Sequence, residues 1–237
     1  ENNVNLDEFD YQFVLSTPGE SGAPIESFIK GTPLYNRLVF GVQKALHHSL
    51  RASKTFNVPV IFWVQGEANM NDTKESYYAK LNQLFIDLNT DIKLITGQLK
   101  DVQFITYQTA PTLEFPNSGP SFAQLQLAID KDNVHLSGAM YQYAYGDVWH
   151  PTDRAIIGHQ AGIQAKRVIN DEKPLPVFRP IKHFIQNDGA NWILSIEFDV
   201  PVLPMRFDVS GDIWHNGNGK QPNFGFKLLN ISSVDII

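Results

Sequence analysis

Val58-Pro59-Val60-Ile61-Phe62-Trp63-Val64 is the stretch on which the fold turns. It carries no charge, and its side chains are mostly β-branched or aromatic. That pattern suits a strand buried on both faces, the kind found inside parallel sheets. Immediately after it the chain turns polar, at Gln65-Gly66-Glu67-Ala68-Asn69. Asp72 or Thr73 then opens a helix running to about Asn89, with Tyr77, Leu81, Leu84 and Leu88 along one face. Upstream, Leu34, Leu38, Val42, Leu46 and Leu50 fall at helical spacing within residues 33–53.

Working outward, the alternation continues. Residues 11–15 and 102–107 read as strands, 121–129 as a helix after Gly119-Pro120, and 133–136 as a short strand. Thr152 or Asp153 begins a last helix, to about Val168. Strands separated by helices imply right-handed crossovers and a parallel sheet with helices on both faces. The expectation is a three-layer α/β domain over residues 1–172. Beyond Asn170 the texture changes. Lys173-Pro174-Leu175-Pro176 is a stiff linker, and the pieces after it (177–185, 192–198, 205–209) are β-rich, with a turn at Gly217–Gly219. Residues 173–237 are therefore expected to form a small β-rich appendage. It is expected to be incomplete, because the chain stops at Ile237 after an apolar run.

Composition narrows the chemistry. The 237 residues are 43% hydrophobic and 19% charged, enough for a substantial core. Without cysteine, disulfides and thiolate catalysis are excluded. A net charge of −6 with no run of Lys or Arg argues against a nucleic-acid surface. No apolar run reaches the roughly 18 residues a membrane helix needs. The acidic, polar opening Glu1–Asp10 is not a signal peptide and reads as the start of a fragment or a processed product.

In an open parallel sheet, sites lie in loops beyond the carboxyl ends of the strands. In the loop 138–151, Asp147-Val148-Trp149-His150 sets a carboxylate three residues before an imidazole, a spacing that can orient the ring as a base. The bland alternative is a loop turn and helix cap. The same spacing recurs at Asp132-Asn133-Val134-His135, so it is weak evidence alone. In the loop 65–72, an amide beside a glycine (Gln65 or Asn69 with Gly66) suits an oxyanion hole, or a strand-to-helix turn capped by Asn69. In the loop 17–25, Ser21 lies between glycines, but Ala23 stands where a nucleophile elbow needs Gly. A turn donating a backbone N–H, or a plain turn, fits better.

Taken in order, these loops resemble the SGNH (GDSL-like) hydrolase superfamily, and within it the sialate O-acetylesterase and acetylxylan-esterase-like branch. Gly19-Glu20-Ser21-Gly22-Ala23-Pro24-Ile25 resembles the Gly-rich second block and implies Gly22 as a backbone oxyanion donor. Trp63-Val64-Gln65-Gly66-Glu67-Ala68-Asn69 resembles the third block. It implies Gln65 as the side-chain oxyanion donor, Asn69 as a substitute and Glu67 in substrate binding. Asp147-Val148-Trp149-His150 resembles the last block, with His150 as base and Asp147 orienting it. Trp149, with Tyr141, Tyr143 and Tyr145 upstream, would stack on a sugar ring, although aromatics are as often packing residues.

The resemblance spans about residues 11–170 and implies removal of O-acetyl groups from carbohydrate, with no metal or other cofactor and an extracellular, surface or virion-associated setting. The family's first block, which carries the nucleophilic Ser, has no matching position. Three explanations stand: an associated segment carries it, the domain is an inactive relic, or Ser21 substitutes. The first is favoured, because a sheet without that strand leaves an open edge and bare apolar surface. A non-catalytic carbohydrate-binding or structural module on the same fold is the rival reading. An unrelated α/β hydrolase or phosphatase finds no phosphate-cradling loop or metal-binding carboxylate cluster in the sequence. His47, His48, His159 and His183 form no convincing site.

Overall fold

A computed structural model of the chain describes residues 12–110, 118–140, 154–189, 191–200 and 203–205. In chain order these form α1 (Pro33–Arg51), β1 (Val60–Trp63), α2 (Lys74–Thr96), β2 (Gln103–Gln108), α3 (Gly119–Asp130), β3 (Val134–Ala139) and α4 (Arg154–Ile169). β4 (Arg179–Asn187) and β5 (Trp192–Asp199) follow, and short 3-10 turns occupy Ile25–Phe28 and Glu67–Asn69. The sheet order is β1-β2-β3, all parallel, with Phe62 opposite Ile105 and Ile105 opposite His135. β4 and β5 pair antiparallel in a separate two-stranded sheet whose apolar side chains, Ile185 and Trp192 among them, are exposed.

The α/β architecture with a parallel sheet is thus present, and it follows from patterning. Alternate residues of a strand point to opposite faces. Phe104 of β2 accordingly joins a core with Trp63, Val134, and Leu81, Leu84, Phe85 and Leu88 of α2. Its neighbour Ile105 packs with Ala161 and Ala165 of α4 instead. Burying each such Leu or Phe contributes about 1.5–3 kcal/mol. Phe85 stacks on Phe104 at 4.1 Å between ring centroids and meets Trp63 edge-on at 6.1 Å, while Phe28 meets Trp63 edge-on at 5.3 Å. This aromatic row runs from β2 through α2 and β1 to the first 3-10 turn, and it seats the loop before α1 against the sheet edge.

Two expectations are corrected. Residues 12–15, read as a strand, have no regular structure, and Phe13, Val14 and Leu15 are 61%, 66% and 88% exposed. β-rich sequence becomes a strand only by pairing, and no described strand pairs with it. Helix α2 continues past Asn89 to Thr96 because Ile92 extends its buried face. It ends where Gly97 takes a left-handed conformation (φ 73°), its N–H bonding the Lys93 carbonyl. Thr73, not Asp72, is its cap, accepting from the Ser76 N–H at 3.1 Å. Met205 is not in a strand, while the turn at Gly217–Gly219 and the residues 206–209 lie outside the described residues.

Beyond the carboxyl ends of β1 and β2, α3 begins against the start of α2. A Cβ on Gly119 would stand 2.0 Å from the Asp72 carbonyl oxygen and 2.7 Å from the Lys74 nitrogen. Because those neighbours are backbone, the chain has nothing flexible to move aside. His135, the second Asp-x-x-His match, is buried in β3 with its Nε2 2.8 Å from Gln103 Oε1. It bonds across the strands rather than to Asp132, so that spacing forms no dyad.

Gly119→Ala should destabilise the fold by about 2–3 kcal/mol, read as a lower urea midpoint at unchanged slope. Burial disfavours charged His135 and holds its pKa below the ordinary 6.5. The unfolded chain therefore takes up this proton before the folded chain does. Stability should be full above about pH 6.5 and fall progressively as pH drops from there through the lower folded value. His135→Gln should flatten that part of a stability–pH profile; an unaltered slope would show that the loss comes from other groups.

Candidate active site

The second loop leaves β1 at Trp63 and must turn sharply to start α2. Gly66 makes this possible with φ 149°, and a Cβ there would lie 2.4 Å from the Thr109 methyl. The turn drives Gln65 and Asn69 inward, where they are only 8% and 6% exposed. A buried amide must find partners for every polar atom. Asn69 does so completely. Its Oδ1 accepts from the Ile25 backbone N–H at 2.8 Å and from Gln65 Nε2 at 2.7 Å. Its Nδ2 donates to Glu26 Oε2 at 3.0 Å and Asp72 Oδ2 at 3.2 Å.

Lys80 of α2 closes this network, donating to Asp72 Oδ2 at 2.9 Å and to Glu26 Oε1. Burial by itself raises the Glu26 pKa, but the Lys80 and Asn69 hydrogen bonds outweigh it and hold the carboxyl below its ordinary value. The same two carboxylates raise the Lys80 pKa. Both partners thus stay charged at neutral pH, and the first loop is tied to α2 through side chains alone.

Gln65 is held on three sides. Its Oε1 accepts from the Tyr77 hydroxyl at 2.6 Å, and its Nε2 reaches the Ala23 carbonyl at 3.3 Å besides Asn69. Its backbone carbonyl accepts from Gln124 Nε2 at 2.7 Å. Gln124, fully buried on α3, in turn accepts the Thr109 N–H at 2.8 Å and so ties in the loop after β2. Glu67 accepts from the Tyr107 hydroxyl, whose pKa is raised by burial and by the Glu67 charge.

The first loop supplies the exposed side. Gly22 has φ 72°, and a Cβ there would meet nothing within 4 Å, so its neighbourhood is open. The Arg37 guanidinium steadies the loop, donating to the Gly19 carbonyl at 2.7 Å and to Glu20 Oε2 at 3.1 and 3.2 Å. An open depression of about 530 Å³ is lined by Ser21, Gly22, Ala23, Ser27 and Leu34 among others. Gln65 does not line it but reaches the carbonyl of Ala23, which does. Ser21 is exposed, and no imidazole among the described residues bonds its hydroxyl.

The structure therefore gathers Gly22, Gln65, Asn69 and, beside them, Glu67. Asp147, Trp149 and His150 lie outside the described residues. Sequence reading overlooked Tyr77, Glu26, Lys80 and Gln124 as site-shaping residues. Tyr77 carried a signal, since its hydroxyl on an otherwise aliphatic helix face needs a partner once buried. The others are ordinary surface residue types until the fold places them. Among the described residues, no group of three or more His, Asp or Glu stands at metal-binding distance.

Residues 14–155, more than half of the chain, match the family model of carbohydrate esterase, sialic acid-specific acetylesterase. No curated protein and no solved structure matches. The matched span includes all the residues of both loops described above.

Asn69→Leu should destabilise the protein by about 2–3 kcal/mol, since the Ile25 N–H and Gln65 Nε2 lose their acceptor while Glu26 and Asp72 keep only Lys80. Thermal melting checks this, and a shift within error of wild type would show that the network is dispensable.

Proposed function

Because the chain belongs to the carbohydrate esterases of the sialic acid-specific acetylesterase family, we propose that it forms the acyl-binding part of a serine O-acetylesterase. The family implies an acetylated carbohydrate as substrate. In this reading the oxyanion formed at the acetyl carbonyl is bound by the Gly22 backbone N–H and Gln65 Nε2. The observation that carries it is the 3.3 Å contact of Gln65 Nε2 with Ala23, the residue beside Gly22. One Nε2 proton is anchored on Asn69, and the other makes only this long bond, so a nearby oxyanion can capture it. Asn69 has no N–H to spare, which favours Gln65 as the donor. Removing such a donor typically costs about 3 kcal/mol of transition-state stabilisation.

The rest of the mechanism follows the residues of the last block. His150, oriented by Asp147, takes the proton of a serine hydroxyl as its oxygen attacks the acetyl carbon. The tetrahedral species collapses, the C–O bond to the sugar breaks, and His150 returns the proton to the departing sugar oxygen. Water then attacks the acetyl-serine by the same route, releasing acetate. The serine is assigned to an associated segment, with Ser21 as the substitute. Trp149 and Glu67 are assigned to the sugar. The packing of Phe104 and Ile105 into different clusters supports a three-layer arrangement, and the separate β4–β5 pair supports a β-rich appendage over residues 173–237.

A second reading, a carbohydrate-binding or structural module, draws on the same contacts. Every side-chain polar atom of Gln65 and Asn69 is already bonded within the protein, as a purely structural role would require. The two readings part on turnover. In the full-length protein, Gln65→Ala should lower p-nitrophenyl acetate hydrolysis about 10²–10³-fold. His150→Ala should lower it by several orders of magnitude, while Ser21→Ala leaves it unchanged. Wild-type turnover in the His150 variant would remove the esterase mechanism, and loss in the Ser21 variant would move the nucleophile there.

A further inference from the structure

We propose that Tyr77 is a positioning residue that fixes which way the Gln65 carboxamide faces, and so holds the nitrogen of the oxyanion donor toward the first loop. The inference rests on the role given to Gln65 above. The orientation follows from donors and acceptors alone. A backbone N–H can only donate, so the Asn69 atom 2.8 Å from the Ile25 nitrogen is its oxygen. The Gln65 atom 2.7 Å from that oxygen must then be a donor, hence Nε2. Gln65 Oε1 consequently faces α2, where the Tyr77 hydroxyl meets it at 2.6 Å. That hydroxyl has a single proton and also lies 3.2 Å from the Gln65 backbone carbonyl. It gives the proton to the nearer oxygen.

Tyr77 is fully buried at the start of the α2 face that continues through Leu81, Leu84 and Leu88. The amide is thereby referenced to a packed helix rather than to the loop that carries it. Without the hydroxyl, Oε1 has no partner among the described residues. A buried acceptor in that state pulls its group into a new rotamer to find one. Rotation about the Cγ–Cδ bond would carry Nε2 away from Ala23 and from the oxyanion position beside Gly22. Tyr77 itself stands behind Gln65 and is assigned no contact with substrate.

Tyr77→Phe keeps the ring and its packing and removes only the oxygen. In protein labelled with ¹⁵N-glutamine, the Gln65 Nε2 protons, identified by their loss in Gln65→Ala, should give two resolved, slowly exchanging NMR signals. In Tyr77→Phe their exchange with solvent should rise about tenfold or more, or the two signals should merge. Unchanged signals overturn the proposal. In the full-length protein, Tyr77→Phe should reduce kcat on p-nitrophenyl acetate about 10- to 100-fold with KM little altered. Added to Gln65→Ala, it should cause no further loss. An equal loss in both backgrounds would mark a general structural role and also overturns it. If Gln65→Ala leaves turnover intact, the oxyanion assignment falls by itself, while the exchange measurement still decides whether Tyr77 orients the amide.

Discussion

The carboxamide of Asn69 holds the described part of the site together. It is a short side chain with two donor and two acceptor positions, and all four are used, by Ile25, Gln65, Glu26 and Asp72. Through it the loop before α1 and the loop after β1 are locked to the N-terminal turns of α2, although they are more than forty residues apart in the chain. No apolar contact could do this with the same directional demand. A hydrogen-bonded amide fixes distance and angle at once, and in a buried setting a lost partner is costly.

Hydrophobic packing brings the loops near enough for that network to form. The row Phe28–Trp63–Phe85–Phe104 crosses from loop to strand to helix to strand, so the first loop is seated by an aromatic ring as well as by polar contacts. Polar contacts then refine the placement. Gln124 adds a third loop by bridging the Gln65 carbonyl and the Thr109 N–H. Three loops from three parts of the sequence are therefore registered to one another by buried amide side chains, with Gly66 and Gly119 allowing backbones and neighbours to approach where a methyl group would collide.

This arrangement bears on how an acyl-transfer site would work. A donor useful for catalysis must bind the transition state better than it binds its resting partner. Gln65 shows that division in one group: a short bond to Asn69 that anchors it, and a long one to Ala23 that a charged oxygen can displace. The charges nearby are kept apart from this function. Lys80 pairs with both Glu26 and Asp72, which leaves one net negative charge, and among the described residues this cluster is linked to Gln65 through Asn69.

The sequence alone determined the α/β architecture and the parallel order of strands and crossover helices, because the periodicities of strand and helix are written in local side-chain pattern. The family was legible only through the resemblance of its loop motifs, and the run 58–64, read as buried on both faces, leaves Phe62 and Val64 exposed. The sequence also marked Gln65, Gly22 and Asn69 as a loop cluster. It could not name the partners of Asn69, extend α2 past its polar Asn89–Asp91 stretch, or decline a strand at 12–15. Each of those depends on partners supplied from elsewhere in the chain: buried contacts for Ile92, a neighbouring strand for Phe13–Leu15, two carboxylates for Asn69. An Asp-x-x-His spacing was likewise mute at Asp132 and His135, where the fold turned the imidazole toward Gln103. Only the tertiary structure decided these points, since hydrogen-bond capacity is a property of a residue, but which atoms satisfy it is a property of the fold.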